Sequence, residues 1–377
     1  MHVRRFGKTN LNLSLFSLGT MRCLDSPQLA ISTIKKAIAI GINHFETARG
    51  YGKSEEYLGL ALRSDLPLAR KDLHITTKLP PTRDRALMSQ WIDESLVRLQ
   101  IDYIDCLAIH GINTQQHLDA ITQGSIEAIH QAQRQGKIRH LGFSTHGSLD
   151  LILDAINSDL FDFVNLHYYY FNQRNEPAIA LAQEKDLGIF IISPGDKGGR
   201  LFTPPETLQK LCQPFSPIEL TYRFLTSDRR ITTLSVGAAN PDELLFLERQ
   251  ANQLAWHEPL TIEEKKKLAG LENHLEQKLN SDRCSQCYQC LPCPESINIP
   301  EILRLRNLAV AYDMEDYGQY RYRMLENAGH WFPGTKGDRC TECGDCLPRC
   351  PEKLDISTLL KDTHQRLNGS PRRRLWE

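Results

Sequence analysis

Short apolar runs alternate with longer amphipathic stretches along the first two-thirds of the chain. The apolar runs have the length of buried strands, and the stretches between them repeat apolar residues at helical spacing. A hairpin that turns near Lys8 is expected before the first run. The predicted strands cover 16–20, 42–45, 73–78, 103–109, 138–143, 161–166, 189–193 and 231–236, and the predicted helices cover 27–40, 54–63, 85–99, 117–135, 149–157, 176–185, 217–225 and 241–254.

Strands that alternate with helices are typical of an α/β protein with a parallel sheet. A (β/α)8 TIM barrel and a doubly wound open sheet both fit this alternation. The first strand lacks a following GxGxxG turn, and chemically capable residues stand at several strand ends, as they do in barrels. The sequence therefore predicts a TIM barrel over residues 1–255, with the hairpin as a cap on the barrel bottom.

The last third of the chain has a different pattern. Residues 256–283 are polar with helical spacing, and we interpret them as a connector. Residues 284–377 form a predicted second, mostly α-helical domain with helices at 300–310 and 315–327.

Eight of the 11 cysteines fall into two tight groups in this second domain. The later group reads C-x2-C-x2-C-x3-C-P, the bacterial ferredoxin spacing that binds [4Fe–4S] clusters. Grouped cysteines favour metal ligation in a reducing compartment over a disulfide framework. Zinc in two four-cysteine sites is the alternative, although zinc sites usually pair two C-x2-C hooks over a longer gap. The predicted metal ligands are Cys284, Cys287, Cys290, Cys293, Cys340, Cys343, Cys346 and Cys350.

Four residues that can carry proton chemistry stand at or near the ends of three apolar runs. Glu46 closes the run INHFE, and Tyr51 follows it on a loop with two glycines. Lys78 ends the run LHITTK, and His110 ends the run DYIDCLAIH. Each residue alone has a plain structural explanation. Because TIM barrels carry their chemistry at the carboxyl ends of the strands, the four together predict an active site.

The segments FETARGYGKSEEYLG, ITTKLPP and LAIHG resemble the aldo-keto reductase family in their order and spacing. The resemblance covers residues 3–254 and implies reduction of an aldehyde or ketone by nicotinamide hydride. It implies that Tyr51 donates the proton and that Lys78 lowers the pKa of this tyrosine. It also implies that Glu46 pairs with Lys78 and that His110 polarises the substrate oxygen.

Glu46 departs from the family pattern, which has aspartate at this position. The extra methylene moves the carboxylate by roughly 1.5 Å unless the backbone compensates, and a misplacement on the order of 1 Å can cost about 10²-fold in rate. A catalytically weakened barrel is therefore an alternative interpretation.

The resemblance also implies a set of cofactor contacts. Ser144 and Thr145 match the residues that hold the nicotinamide carboxamide, and Asn165 stands where the family usually has glutamine. No stacking tyrosine follows Ile192, where Ser193 and Pro194 stand instead. The full set of predicted cofactor-binding residues is Thr20, Ser144, Thr145, Asn165, Ser193 and Gly237.

Two further segments bear on the phosphates of the cofactor. The loop 195–201 has glycines and two cations, Lys197 and Arg200, for the pyrophosphate. The segment SVGAANPDEL resembles the family's adenine-side segment but lacks a basic residue for a 2′-phosphate, and Asp242 and Glu243 stand nearby. NADP is the first expectation from the family, with NAD as the alternative.

The two cysteine groups resemble the ferredoxin-like tail found on some aldo-keto reductases, which implies two [4Fe–4S] clusters. By this resemblance one cluster is bound by Cys284, Cys287, Cys290 and Cys350, and the other by Cys340, Cys343, Cys346 and Cys293. Each cluster would thus take one ligand from the other group.

Charge and hydropathy exclude several other classes of function. The net charge is −1, and the one basic block is the tail at 372–374, so nucleic-acid binding is not expected. No apolar run approaches the ~20 residues of a membrane helix, and no signal peptide is visible, so we expect a cytoplasmic protein.

Three hypotheses remain for the two halves together. The first is a carbonyl reductase whose clusters exchange electrons with a ferredoxin-like partner. The second is the same enzyme with structural or redox-sensing clusters. The third is a non-enzymatic iron–sulfur electron-transfer or interaction protein on a barrel scaffold.

Overall fold

The structure, a computed structural model, describes residues 1–251 and 256–372. The end of the helix predicted at 241–254 and the tail residues Arg373 and Arg374 lie outside the described residues.

Ten strands lie in the first 237 residues. They are β1 (Val3–Arg5), β2 (Asn12–Ser14), β3 (Phe16–Gly19), β4 (His44–Glu46), β5 (His74–Leu79), β6 (Ile104–His110), β7 (Ile138–Ser144), β8 (Phe163–Leu166), β9 (Gly188–Ile191) and β10 (Thr233–Gly237).

Fourteen α-helices are present in the described residues. They are α1 (Pro27–Ala39), α2 (Ser54–Arg63), α3 (Arg85–Leu99), α4 (Gln115–Ala120), α5 (Ile126–Arg134), α6 (Leu149–Asn157), α7 (Glu176–Glu184), α8 (Glu206–Cys212), α9 (Pro217–Ser227), α10 (Leu245–Ala251), α11 (Ile262–Leu279), α12 (Ile299–Tyr312), α13 (Glu315–Tyr322) and α14 (Ile356–Leu367).

Strands β3 to β10 form a closed parallel barrel. Neighbouring strands follow the chain order from β3 to β9, and β10 closes the ring between β9 and β3. A closed ring leaves no open sheet edge, in contrast to a doubly wound sheet. The predicted (β/α)8 barrel is therefore confirmed, as is the mostly helical character of the chain that follows it.

The N-terminal hairpin of β1 and β2 closes the amino end of the barrel. Phe6, in the turn, packs with Leu13 into a core that contains Cys106, Phe163 and Phe190. The rings of Phe6 and Phe163 lie 5.3 Å apart. This burial removes two large apolar side chains from water and fills the interior that eight strands enclose. The expected cap at the barrel bottom is confirmed.

The helix predicted at 117–135 is interrupted. A π-helical turn, Ile121–Ser125, separates α4 from α5. The carbonyl of Gly124 accepts a hydrogen bond from Arg85 Nε at 3.0 Å. A Cβ at Gly124 would lie 2.6 Å from the Arg83 backbone, so glycine permits this close approach. Helices α8 and α14 were not predicted.

The described chain forms two compact units. The barrel unit contains Met1–Pro194 and Tyr222–Pro259, and the second unit contains Gly195–Thr221 and the chain from Leu260 onward. The segment 195–221, which the sequence places within the barrel domain, thus joins the second unit, where α8 packs against α11. In the described part of the second unit, helices and turns are accompanied by one isolated β-bridge between Ile297 and Thr335. No helix within residues 1–251 or 256–372 has the length and hydropathy to cross a membrane.

Candidate active site

The alternation of side chains along the strands decides which residues enter the barrel. In a strand, residues two apart face the same side. His44 bonds Ser17 of β3 at 2.6 Å and Thr76 of β5 at 2.7 Å inside the barrel. Glu46 and Lys78, two residues further along β4 and β5, therefore face the same interior at the carboxyl ends of their strands. Burial lowers the pKa of His44 to about 3, so this imidazole is neutral.

Glu46, Lys78 and Tyr51 form one contiguous group at this end of the barrel. The Lys78 ammonium contacts the Glu46 carboxylate in an ion pair. It also donates to Tyr51 Oη at 3.2 Å and to the Thr47 carbonyl at 3.1 Å. Lys78 is 1% exposed and Glu46 is 4% exposed. The longer acid therefore reaches the lysine directly.

Burial and charge act in opposite directions on this group. Burial opposes the charge of Lys78, but Glu46 and Tyr51 raise its pKa above the ordinary value, so it is a cation at neutral pH. Burial raises the pKa of Tyr51, and this effect exceeds the lowering by Lys78. Lys78 therefore lowers the pKa of Tyr51 as expected, but burial outweighs this effect. Tyr51 carries its proton at neutral pH.

His110 completes the group. It ends β6, and its ring lies edge-on to the Tyr51 ring, with centroids 5.5 Å apart and an interplanar angle of 88°. The structure thus brings all four predicted catalytic residues together around the phenol of Tyr51. A proton donor beside a cation and an imidazole can protonate an oxygen that gains negative charge.

Ser144 and Thr145 lie beside this group. Ser144 pairs in register with His110 and with Asn165 on the neighbouring strands, and its hydroxyl accepts from the Gly111 N–H at 3.1 Å. Thr145 Oγ1 donates to the Ile112 carbonyl at 2.7 Å. The two hydroxyls are therefore held by the backbone after β6.

The side chain of Asn165 tests whether a nicotinamide fits this site. Its side chain is fully buried, and neither its Oδ1 nor its Nδ2 has a hydrogen-bond partner in the described residues. A buried unpaired amide costs free energy unless something bonds it. A carboxamide both donates and accepts, so the amide of Asn165 and the neighbouring Ser144 fit such a group.

The remaining predicted cofactor residues occupy separate positions on the carboxyl side of the strands. Thr20 Oγ1 donates to the Glu46 carbonyl at 3.1 Å and bonds Ser54 Oγ at 2.6 Å. Gly237 ends β10 in register with Gly19. Ser193 has φ +52°, which turns the chain after β9. The loop 195–201 with Lys197 and Arg200 lies in the second unit.

The eight clustered cysteines line two cavities of the second unit. The first cavity is lined by Cys284, Cys287, Cys290 and Cys350, and the second by Cys293, Cys340, Cys343 and Cys346. Their empty volumes are about 300 Å³ and about 490 Å³. This division agrees with the ligand sets that the resemblance implied, because Cys350 and Cys293 each cross to the cavity of the other group.

Each cavity offers four cysteine sulfurs, the donor set of a [4Fe–4S] cluster. Among residues 1–251 and 256–372, no three His, Cys, Asp or Glu side chains are close enough to hold one metal ion. A lone zinc needs four sulfurs at about 2.3 Å from one point, whereas thiolates around a cluster stand further apart. Burial raises the pKa of Cys284 to about 11 and that of Cys290 to about 12, and a bound cation would favour their thiolate forms.

Residues 16–273 match the model described as the Aldo/keto reductase family, over more than half of the chain. The chain belongs to the aldo/keto reductase family. Residues 283–354 of this aldo/keto reductase match the model of a 4Fe-4S dicluster domain. An oxidoreductase barrel is thus followed by an iron–sulfur domain in one chain.

This aldo/keto reductase is similar to several known proteins. The uncharacterized oxidoreductase YqkF of Bacillus subtilis (strain 168) is 24% identical over 316 residues, which cover 74% of this chain and 98% of that protein. L-galactose dehydrogenase of Arabidopsis thaliana is 30% identical over 224 residues, which cover 55% of this chain and 69% of that protein. The solved aldo-keto reductase AKR11C1 from Bacillus halodurans (holo form) shares the fold, with a TM-score of 0.62 and 24% identity over 71% of this chain and 95% of that one.

Two groups of polar residues at the carboxyl ends of this aldo/keto reductase's strands were missed from the sequence. Arg22, after β3, bonds the Gly237 carbonyl at 2.9 Å and both oxygens of Glu243 at 2.6 and 2.9 Å. Arg22 therefore brings a cation to the segment SVGAANPDEL, which contains no basic residue itself. Arg22 is distant in sequence from that segment, and only the closure of the barrel between β10 and β3 brings them together.

The second missed group contains two histidines. His146 and His167 lie two residues after Ser144 and Asn165, and their Nε2 atoms are 3.1 Å apart. His167 Nδ1 bonds Tyr169 Oη at 2.5 Å, and this hydroxyl donates to the Ile192 carbonyl at 2.7 Å. Side chains alternate between the two faces along β7 and β8. Continuing this alternation past the strand ends could have identified His146 and His167 from the sequence.

Proposed function

We propose that the barrel reduces an aldehyde or ketone with NADPH or NADH, with Tyr51 as the proton donor. The contact of the buried Glu46–Lys78 ion pair with the Tyr51 hydroxyl is the observation that carries this proposal. Three charged or polar side chains in one buried group have little structural purpose, because a buried ion pair is weak support for stability.

Reduction adds a hydride to the carbonyl carbon and a proton to the carbonyl oxygen. A nicotinamide dinucleotide, when bound, would supply the hydride. Tyr51 gives its phenolic proton to the oxygen as charge develops there, and the product is an alcohol. Lys78 stabilises the phenolate that remains, and Glu46 holds the lysine in place. His110 donates a hydrogen bond to the same oxygen and favours its negative charge.

The residues that would hold the cofactor surround this group. Asn165 and Ser144 would bond the carboxamide of that cofactor, with Thr145 as a further contact. Thr20, Ser193 and Gly237 complete the set on the neighbouring strand ends. We retain NADP as the first choice and NAD as the alternative, because Arg22 offers a cation for a 2′-phosphate but Glu243 already neutralises it.

For the second unit we propose two [4Fe–4S] clusters with the ligand sets of the two cavities. Each cluster passes one electron at a time, whereas hydride transfer moves two electrons. We therefore propose a ferredoxin-like carrier as the electron partner of the clusters, with a structural or redox-sensing role as the alternative. Thiolate ligation of iron favours a reducing compartment, and we propose the cytoplasm.

The substrate is proposed to be a small carbonyl compound. The relative in Arabidopsis is named for L-galactose, a sugar that contains a carbonyl carbon. A non-enzymatic role is favoured by one feature, glutamate in place of aspartate at position 46. The contact of Glu46 with Lys78 weakens that candidate, since the longer side chain still reaches its partner.

The test follows consumption of NADPH and NADH by anaerobically purified protein with a panel of aldehydes, ketones and quinones. Tyr51→Phe should lose about 10²–10⁴-fold in rate. Tyr103→Phe is the matched control, because the Tyr103 ring contacts Arg70 and Arg139 away from the tetrad. Wild-type protein that turns over no carbonyl while its clusters are intact would overturn the reductase proposal and favour the non-enzymatic one.

A further inference from the structure

Arg349 joins the two cysteine segments of the second unit. It lies in the later segment, directly before Cys350, and it is one of the residues that line the second cavity. Its Nη2 donates to the carbonyl of Pro292 in the earlier segment at 3.0 Å. Its Nε donates to the carbonyl of Asp345 in its own segment at 2.8 Å. One guanidinium therefore holds two backbone carbonyls that lie far apart in the sequence.

The two carbonyls that Arg349 binds each precede a cysteine of the second cavity. Pro292 is followed by Cys293, and Asp345 is followed by Cys346. A hydrogen bond to a carbonyl restrains the whole peptide group that joins it to the next residue, because this group is planar. Arg349 therefore restrains the backbone at two of the four cysteines of this cavity.

Cys293 depends on such a contact more than the other three cysteines of the cavity. Those three belong to one C-x2-C-x2-C run, whereas Cys293 comes from the segment 284–293, which contains no helix or strand. Bringing a ligand in from a separate, irregular segment costs conformational entropy. The bond from Arg349 to the Pro292 carbonyl restrains the residue next to Cys293 and so reduces this cost.

The chain on the other side of Cys293 is held by different residues. The Ser296 N–H donates to the Cys293 carbonyl at 2.9 Å, and Thr335 Oγ1 donates to the Glu295 carbonyl at 2.7 Å. These bonds restrain the residues that follow Cys293. Arg349 restrains the residue that precedes it, so loss of the Arg349 side chain frees one side of this cysteine and leaves the other side held.

The shape of the guanidinium suits the double contact. Arginine carries donors that point in several fixed directions from one plane, whereas lysine has a single ammonium at the end of a flexible chain. Two of the Arg349 donors reach carbonyls of different segments at hydrogen-bond distance. The arrangement therefore predicts a requirement for arginine at this position and not only for a positive charge.

We propose that Arg349 is a positioning residue that holds Cys293 in place as the fourth ligand of the cluster in the second cavity. This inference rests on the proposed pair of [4Fe–4S] clusters. It adds the residue that lets the earlier cysteine segment supply a ligand to the later one. Arg349 acts through the backbone at Pro292 and is not itself a ligand.

The test compares anaerobically purified wild type and Arg349→Gln by iron analysis and electron paramagnetic resonance after treatment with ferricyanide. A [4Fe–4S]²⁺ cluster held by three thiolates releases one Fe²⁺, gives one electron to ferricyanide and becomes [3Fe–4S]⁺. The three-iron cluster has a paramagnetic signal in this state, and the intact four-iron cluster has none. We expect this signal in Arg349→Gln, with about seven iron atoms per chain in place of about eight.

Arg339→Gln is the matched control. Arg339 lies directly before Cys340, as Arg349 lies directly before Cys350, so both substitutions remove a positive charge next to a cysteine. The Arg339 Nε donates to Glu326 Oε1 at 2.9 Å instead of to the backbone of a cysteine segment. Arg339→Gln should keep its iron and give no three-iron signal. The same signal in both variants would assign the effect to lost charge and would overturn the positioning role.

Arg349→Lys separates charge from geometry. The lysine keeps the positive charge, but one ammonium does not reproduce the fork that holds both carbonyls. We expect a three-iron signal weaker than that of Arg349→Gln and above the wild-type level. An intact spectrum would mean that charge alone suffices and would overturn the proposal. This milder variant also replaces Arg349→Gln if the glutamine variant is not recovered as folded protein.

Cys293→Ser identifies the ligand that Arg349 serves. The serine variant should lose at least as much iron from the same cluster as Arg349→Gln does. If Arg349 acts through Cys293, Arg349→Gln causes no further loss of iron in the Cys293→Ser background. Additional loss, from the cluster of the first cavity, would overturn the proposed route.

Two outcomes separate this inference from the cluster proposal on which it rests. Wild-type protein that binds no iron, or that binds zinc instead, contradicts the clusters themselves. Wild-type protein with about eight iron atoms, together with an Arg349→Gln variant of the same iron content and spectrum, contradicts the role of Arg349 alone.

Discussion

The two compact units of this aldo/keto reductase hold their functional groups by different means. In the barrel unit, Glu46 and Lys78 lie on adjacent strands whose backbones are bonded in register. In the second unit, the eight clustered cysteines lie in the segments 284–293 and 340–350, which contain turns but no helix or strand. Cys287 and Cys343 are exposed, whereas Lys78 is buried. The barrel thus sets its side chains through the sheet, and the cysteine segments rely on neighbouring helices and on what their thiolates bind.

This difference predicts which kind of change each unit should tolerate least. A group that the sheet positions is sensitive to changes in its own charge and reach. A group on irregular segments is sensitive to loss of the ligand that connects those segments, because metal binding then contributes to folding.

The largest expected effect is that of iron removal. Anaerobic chelation should unfold the cysteine segments of the second unit and leave the barrel folded. By analogy with structural metal sites, the lost stabilisation is on the order of 10 kcal/mol. Limited proteolysis with mass spectrometry should find new cleavage within 284–354 and continued protection of the barrel strands. Equal protection of both regions from proteolysis after iron loss would contradict the proposed difference between the two units.

Lys78→Met should have the next largest effect. It leaves Glu46 buried without its cation, which typically costs about 3–5 kcal/mol of unfolding free energy. Carbonyl reduction should be lost as well, because Tyr51 loses its cationic partner. Lys137→Met is the control, since Lys137 pairs with Asp93 at the surface and such pairs contribute little. Chemical denaturation and NADPH consumption measure the two effects, and equal stability of the two variants would contradict the account.

Serine substitutions test which cysteines of the second unit bind the same cluster. Cys350→Ser and Cys284→Ser belong to the same cavity, so the double variant should lose no more iron than either single variant. Cys350→Ser with Cys340→Ser should lose both clusters, about eight iron atoms per chain instead of four. Iron analysis of anaerobically purified protein decides this. The reverse result would assign each cluster to one cysteine group alone.

Glu46→Asp should reduce the rate by up to about 10²-fold, because the shorter carboxylate withdraws from Lys78. The weakened-barrel interpretation predicts the opposite change, a gain. Steady-state kinetics with one carbonyl substrate distinguishes the two, and Glu56→Asp on the exposed face of α2 serves as the control for the change in length.

The smallest expected effect is that of pH. Burial raises the pKa of Tyr51, so the phenol remains protonated beyond its ordinary value of about 10, and kcat for reduction should be level from about pH 6 to 9. The pKa of Lys78 is raised, so its contribution to stability is complete below its unfolded pKa and declines only as pH rises through the folded one. A kcat that falls near pH 7 would contradict a protonated Tyr51.

Much of the fold was predictable, because periodicity and turn residues act locally. Helix α3 occupies the predicted range, and Asp84 caps it through a bond to the Leu87 N–H. The cysteine spacing predicted an iron–sulfur domain, which the match at 283–354 supports, because the cysteines of each group stand close in sequence. The break between α4 and α5 was not predictable, since it depends on the close approach of Gly124 to Arg83.

The local patterns of the sequence were enough to predict the eight strand–helix units, Tyr51 with the three residues around it and the cysteine groups, since periodicity, strand ends and short spacing are local properties. Tertiary structure alone decided the balance of burial and charge at Tyr51, the unpaired amide of Asn165 and the reach of Arg22 to Glu243. It also decided that 195–221 belongs to the second unit. Each of these depends on distances and dielectric surroundings between residues far apart in the chain, which no local pattern encodes.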